Sequence, residues 1–435
     1  MIKSLPIVTK TRNVSIMKKL VLSLVAVMSI GSVLAAGFGL YEASARGNAL
    51  GGALVGSTKD ASAVYYNPAN MTETTNVSVM VGATMVWLYS DITVDYKSER
   101  NMNPGLFCIP HLYVTTPVWG DLYFGLGAYC ENGLGTRYGD RWELAGDTTK
   151  TTLQQFTLNP NLAYKITDWW SVGAGLKMSY ITFYNTKRPH WNKRAGARGA
   201  DIESRLEGDD ISIGYNFGTT FRLFESQDLG RLALGFVYRS QIKHNIEGDF
   251  DIDGKIGGTP YSMIGDTHSS ASAKLTLPQS LTAGLNWDSP NDKWHVGVAT
   301  TWTQWSSVDT ISFKIPAKNK LTGKETSYDL PLNWDDVWRF SLGIEYDATD
   351  DLALRIGYVF DMDPSNENYG TTMLPGGHRN IIGLGFGYEL FENLRLDVGY
   401  DLVMMVASSR EIEGKVFKVE NAYSHMLSAS LAYSF

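Results

Sequence analysis

Five basic side chains attract attention because of where they fall. Lys177, Arg239, Arg339, Arg355 and Arg395 each occupy the polar position of a stretch in which apolar residues alternate. An inward-facing cation of this kind either holds an anionic group or joins an internal charge network. Glu345, Asp397 and Asp401 are the acids at hand for a network, and Asp335 and Asp336 lie beside Arg339. Arg239 and Arg339 fall nearest the upper half of the interior that the alternation implies. A second group lies in long polar segments. Residues 188–208 are basic, with Arg188, Lys193, Arg194 and Arg198, and residues 247–270 carry Tyr261, Met263 and Ile264. Exposed apolar groups on long loops mark binding surfaces, although ordinary loop decoration is the other reading. The candidate binding residues are therefore Lys177, Arg239, Arg339, Arg188, Tyr261 and Ile264.

These residue types point to binding rather than bond-breaking. None of the seven histidines sits in a serine or cysteine motif or at metal-ligand spacing. The Asp249–Asp253 cluster lacks the later glutamate of a calcium loop. No nucleophile, base and orienter assemble along the chain, so an enzyme, a metal and a cofactor are not expected. The formal net charge is −7, which argues against nucleic acid as a partner.

Something must position these side chains, and two elements do so. Residues 43–63 hold thirteen Ala, Gly and Ser out of twenty-one. Such a stretch packs closely inside something larger. Asp60 is a good helix N-cap, and Pro68 biases Asn67 toward an extended backbone. The stretch reads as a compact plug ending in Asn67-Pro68-Ala69-Asn70, with Asp60, Asn67, Pro68 and Ala69 in structural and gating roles. The amide of Asn67 can cap backbone groups of the plug or of its container. In front of it, residues 1–35 contain five basic and no acidic residues, and the apolar run Leu20–Ile30 is too short to span a bilayer. This is the pattern of a secretory leader.

Everything after Thr75 reads as strands. Leu352, Leu354, Ile356, Tyr358 and Phe360 alternate with Ala353, Arg355, Gly357 and Val359. Leu394 to Met404 and Ile382 to Leu390 do the same. An aliphatic and aromatic row opposite glycines and charges fits a membrane barrel better than a soluble sandwich. Short turns alternate with long polar connections, giving fourteen strands and both chain ends on one side. Trp and Tyr near strand ends (Trp87, Tyr89, Trp169, Trp170, Trp302, Trp305, Trp334, Trp338) suit an aromatic girdle. Strands longer than a bilayer needs would rise into an outer collar. Cys108 and Cys130 flank the turn at Val118–Gly120 and either bridge or stay as thiols. The expected fold is all-β: a fourteen-stranded antiparallel transmembrane barrel over 76–435, with an amino-terminal plug at 36–75 and a leader at 1–35.

Those residues also resemble a known family. Ala36–Gly47, Asp60-Ala-Ser-Ala-Val-Tyr-Tyr-Asn67-Pro68-Ala69, Gly125-Leu-Gly127, Asn159-Pro160-Asn-Leu-Ala-Tyr164 and Trp170–Gly175 look like the long-chain fatty-acid transporter (FadL) family of the outer membrane. The likeness spans the mature chain; Asn70 stands where members often have Gly. The resemblance implies a hatch in the lumen and passive uptake of long-chain fatty acids or other hydrophobic compounds. The implied route runs from outer capture through a rearranging plug to lateral release past a kinked strand. It places the cell outer membrane of a Gram-negative-type bacterium around the barrel, with membrane lipid, lipopolysaccharide and the barrel assembly machinery as partners. The aromatic carboxy-terminus resembles the signal which that machinery reads. An aromatic-hydrocarbon channel of the same fold and a general diffusion porin are the alternatives. A closed and plugged barrel needs no partner chain, so a monomer is expected.

Overall fold

The computed structural model describes residues 37–95, 98–102, 105–140, 142–188, 200–320 and 322–435. The leader read at 1–35 lies outside them. Two short helices, α1 (Ala45–Ala49) and α2 (Ala63–Tyr66), and a 3-10 turn (Pro68–Glu73) precede the sheet. The barrel strands then follow in chain order: β1 (Ser78–Val94), β2 (Leu106–Trp119), β3 (Leu122–Tyr129, resuming at Gly133–Arg137), β4 (Lys150–Thr167), β5 (Trp170–Lys187), β6 (Ala200–Ser226) and β7 (Gly230–Arg239, then Ile242–Ile256). The second half holds β8 (His268–Leu277, then Ser280–Asp288), β9 (Trp294–Thr303, then Thr310–Lys314), β10 (Val337–Asp347), β11 (Leu352–Asp361), β12 (Arg379–Phe391), β13 (Leu394–Met405, then Ser408–Ile412) and β14 (Lys415–Ser434). Each pairs antiparallel with the next, and β1 pairs with β14 from Ser78↔Ser434 to Val94↔Phe417. That last ladder closes the fourteen strands into a barrel.

The alternation is realised as expected. Leu354, Ile356 and Tyr358 are 47%, 50% and 44% exposed, while Arg355 and Gly357 between them and Val359 beyond are buried. The first row therefore faces outward, and the second faces the interior. Turns follow local chemistry: Gly120 (φ 53) and Asn393 (φ 70) supply the left-handed residues of two tight connections.

Several details differ from the sequence reading. Within the segments 188–208, 247–270 and 411–419, much of what the structure describes is strand. β6 begins at Ala200, β7 runs on to Ile256, and β13 and β14 pair up to Ile412↔Lys415. Polar alternation without a greasy face reads as loop in a sequence, yet above the membrane both faces of a strand can be wet. These extensions pack Ile202, Leu206, Phe250, Ile252, Phe313 and Ile315 into a separate apolar core. Trp305 and Trp334 are not girdle residues: both are buried, where they pack against Phe38. Asp60 does not cap α2, whose N-cap is Ser62. It accepts instead from the Ser62 amide (2.9 Å) and pairs with Arg46 (3.0 Å). Cys108 and Cys130 are free thiols.

The amino-terminal segment fills the bore. Its backbone lies against glycines of the wall. A Cβ on Gly235 would fall 2.1 Å from the Val55 carbonyl oxygen, one on Gly297 2.1 Å from that of Ala53, and one on Gly218 2.1 Å from Asn67 Oδ1. The glycines opposite the lipid-facing row are thus close-approach positions for a second backbone. Hydrogen bonds follow: Asn286 donates to the Ala53 carbonyl (2.8 Å) and accepts from the Gly56 amide (2.8 Å). Ser430 Oγ accepts from the Ala45 amide (3.0 Å), and Tyr113 donates to the Ala43 carbonyl (3.0 Å).

Candidate functional site

Asn67 has the extended backbone (φ −159) that a following proline favours. Its Oδ1 accepts from the Ala69 amide (3.1 Å) and caps the 3-10 turn. Its Nδ2 donates to the Val55 carbonyl (2.8 Å) and to Thr220 Oγ1 of β6 (2.9 Å). Asn70, which stands where members of the resembled family often have Gly, grips the same two groups: Nδ2 donates to the Val55 carbonyl (3.1 Å), and Oδ1 accepts from Thr220 Oγ1 (2.6 Å). One wall threonine therefore holds the plug through two asparagines. Removing one side chain leaves buried donors or acceptors unmet, which costs about 1–3 kcal/mol. Asn67→Ala is expected to loosen the plug by that amount, read as faster amide exchange over residues 53–70 with the barrel strands unchanged.

Above the plug lies a cavity of about 100 Å³. Lys177 of β5, Arg239 of β7 and Arg339 of β10 all line it, together with Tyr41, Tyr65 and Glu131. The fold brings three of the six candidate binding residues to one chamber. Lys177 Nζ lies 2.5 Å and Arg239 Nε 3.5 Å from the Glu131 carboxylate, so two cations share one acid. Arg239 also stacks on the Tyr65 ring at 4.8 Å, and Arg339 on the Tyr41 ring at 4.1 Å. Burial pushes the Tyr65 hydroxyl well above its usual range, so this ring stays neutral beneath the guanidinium. Arg339 pairs with Asp361 (3.3 Å). Of the expected acids, Glu345 and Asp397 serve other cations, and Asp401 has no hydrogen-bond partner among the described residues. Arg355 bonds Glu345 and Asp397, and Arg46 pairs with Glu345 (2.9 Å). Asp335 and Asp336 are exposed and do not line the chamber.

The other three candidates sit elsewhere. Arg188 is held in the collar by Glu203 (2.6 Å) and Asp201 (3.3 Å). Tyr261 packs against the collar core, and the Ile264 carbonyl accepts from the Lys320 amide (2.7 Å). None of them reaches the chamber.

On the far side of Phe38 from the cation chamber is a second, apolar pocket. Leu134, Leu153, Phe183, Ile246, Leu275 and Phe313 are among its lining residues. Phe38 packs edge-on against Trp305, a residue of the first chamber, at 4.8 Å. The same end of the chain meets an interruption of the wall. β3 breaks at Cys130-Glu131-Asn132, where the Leu40 amide donates to the Glu131 carbonyl (2.8 Å) and the Gly133 amide to the Phe38 carbonyl (2.9 Å). Beyond Leu112↔Ala128, the outer half of β2 pairs only with β1, and the outer half of β3 only with β4, among the described residues. The wall parts there. β7 and β8 also break beside the chamber, at Ser240 and at Pro278.

Glu131, Tyr65, Tyr41 and Phe38 escaped the sequence reading. Pro278, inside an otherwise strand-like run, was one available signal of a break. Two clusters were invisible because their members lie on different strands. Ser179 Oγ is 3.1 Å from His244 Nε2, and His244 Nδ1 is 2.7 Å from Asp210. This is a triad order, but Ser179 is fully buried and its Oγ accepts from Gln155 Nε2 (2.7 Å). It has no open face for a substrate and ties four strands together. His295 lies between Asp288 (2.7 Å) and Asp347 (3.2 Å). Lys59 and Arg231 already balance Asp288, so the cluster is an ion-pair network.

Known proteins resemble this architecture. The chain is 25% identical over 399 residues to the long-chain fatty acid transport protein of Escherichia coli O6:H1, covering 84% of this chain and 86% of that one. It is 26% identical to a putative outer membrane protein of Neisseria meningitidis, covering 89% and 90%. The crystal structure of a Pseudomonas aeruginosa FadL homologue superposes with a TM-score of 0.78 at 19% identity, covering 92% of this chain and all of that one. The toluene transporter TodX of Pseudomonas putida gives 0.71 at 18%, covering 90% and 98%. Residues 25–435 match the family described as outer membrane protein transport protein (OMPP1/FadL/TodX), and the chain belongs to that family of outer-membrane transport β-barrels.

Proposed function

We propose that this protein carries long-chain fatty acids, or closely related apolar compounds with one acidic end, passively across the outer membrane. The observation that carries the reading is the paired chamber: a cation site with two bases on one acid, separated by Phe38 from a pocket of apolar side chains. A ligand carboxylate competes with Glu131 for Lys177 and Arg239, while its tail occupies the apolar pocket. Each methylene leaving water gains roughly 0.8 kcal/mol, so a long tail supplies the driving force without an energy source. Glu131 lies in the break of β3, so displacing it loosens the contacts between the amino end and the wall. The parted β2–β3 seam then offers a sideways exit to the lipid. Asn67, Pro68, Ala69 and Asp60 act as plug anchors and gate. The polar barrel–plug contacts that fill the bore argue against a general diffusion porin.

A second reading, uptake of neutral aromatic hydrocarbons, is favoured by the purely non-ionic surroundings of the inner pocket. Native mass spectrometry of the protein released in mild detergent from cells fed both ligand classes separates the two. A bound long-chain acid is expected. Recovery of hydrocarbon alone moves the assignment to the second reading, and recovery of neither contradicts both.

A further inference from the structure

The connection between β11 and β12 does not stay on the surface. Residues 371–377 form no helix or strand, yet all seven are buried. Buried irregular backbone needs partners for its polar groups, and side chains of two other elements supply them. Asp147, in the connection between β3 and β4, accepts from the Thr371 hydroxyl (3.0 Å), the Thr372 amide (2.6 Å) and the Thr372 hydroxyl (2.6 Å). Tyr138 of the same connection donates to the Thr372 carbonyl (2.8 Å). Arg410 of β13 donates to the Leu374 carbonyl (3.2 Å) and the Gly376 carbonyl (3.1 Å). The strap is thus tied down by side chains, with no strand ladder running through it.

Met373 and Leu374 of this strap line the apolar pocket. The pocket holds about 30 Å³ of free space, which is room for about one water-sized group. A long tail therefore needs part of the lining to give way. Phe38, Met373 and Leu374 are the lining residues that lie outside strands; the rest are held in ladders. Phe38 borders the cation chamber. The strap joins the outer ends of β11 and β12, so it meets the end of a tail remote from a head group at Lys177 and Arg239. We propose, resting on the acid-uptake reading above, that residues 371–377 are a lid on the apolar pocket and that Met373 and Leu374 set the tail length it accepts. A tail that ends below the strap leaves the lid shut. A longer one has to lift it, at the cost of the bonds to Asp147 and Arg410. The flexible Met373 side chain suits a surface that repacks against tails of different length.

Isothermal titration of the full-length protein with saturated acids from octanoic to octadecanoic, and with primary alcohols of matching length, reads that limit. While the tail fits, each added methylene tightens binding about fourfold; past the limit the affinity levels off. Met373→Trp is expected to bring the plateau forward by about two carbons, so the longest acids lose about fifteenfold and octanoic acid little. Met373→Ala should move the plateau toward longer acids, which general damage by a bulky side chain would not do. Asp147→Ala removes an acceptor outside the pocket and makes the strap easier to lift. Acids beyond the plateau should then bind about tenfold more tightly and shorter ones as before. Heat-modifiable migration confirms that each barrel has formed. A loss in Met373→Trp that is equal at every length overturns the proposal, as does a plateau that neither Met373 variant moves. Binding of the alcohols without the acids refutes the acid reading alone, and the same shift in the alcohol series still upholds the lid. Binding of neither refutes both.

Discussion

Deleting residues 40–70 is expected to leave a folded barrel that conducts small ions in a planar bilayer, where the full chain conducts little. The physical reason is a separation of duties. The wall closes on itself through the β1–β14 ladder, and its strand ladders do not run through the plug; at the break of β3 the deletion removes the bond from the Leu40 amide to the Glu131 carbonyl. The plug, by contrast, occupies the bore with its backbone pressed onto wall glycines. A point substitution makes the same test without shortening the chain. In Gly235→Val the new Cβ would stand 2.1 Å from the Val55 carbonyl oxygen, far inside any real contact, so plug or wall must move. The strands of the wall are tied by two ladders each, and the plug is held at separate points. The plug is therefore the part expected to yield, and conductance should rise toward that of the deletion. Heat-modifiable migration on a gel confirms that the barrel has formed in both cases. If both folded variants stay as silent as the parent, the segment is not the stopper.

Replacing Lys177 or Arg239 by Met is expected to weaken binding of a long-chain acid far more than binding of its methyl ester. Hydrogen bonds to charged groups contribute about 1.5–3 kcal/mol, roughly 10- to 150-fold in dissociation constant. The ester cannot use that term, and its tail meets the same apolar pocket. Glu131 provides a check in the opposite direction. It is the acid that both cations now hold, at 2.5 and 3.5 Å. Glu131→Gln frees them for the ligand, so the acid should bind more tightly and the ester about as before. Paired isothermal titrations of acid and ester with the three variants decide the matter. Equal losses for both ligands would show that the cations shape the chamber without contacting a carboxylate, and the neutral-hydrocarbon reading would gain.

The two tests probe different layers of what was legible. Lys177, Arg239 and Arg339 could be named from parity alone, because a strand sends successive side chains to opposite faces. What each one pairs with could not be read. Glu131 is 46 residues from Lys177 and 108 from Arg239, and nothing local to any of them announces the other two. Arg188, Tyr261 and Ile264 were chosen because their segments resemble loops; Arg188 is tied up in ion pairs just past the end of β5, and Tyr261 and Ile264 belong to a 3-10 turn, with Tyr261 packed on the collar core. Asn67 was correctly read as a capping amide, whereas its hold on Thr220 of β6 was not foreseen.

By itself the sequence determined the barrel, its fourteen strands and the presence of a small-residue wad ahead of them. Alternation, turn chemistry and composition are properties of neighbouring residues, and the membrane's demand for satisfied backbone groups leaves a closed sheet as the one way to use them. Tertiary structure alone decided where strands break, why the inward row is glycine, and which charges meet. Those depend on a second backbone lying inside the first, and on strands brought side by side from distant parts of the chain. The gap between β2 and β3, the chamber beneath Phe38 and the unpaired Asp401 all belong to that second kind.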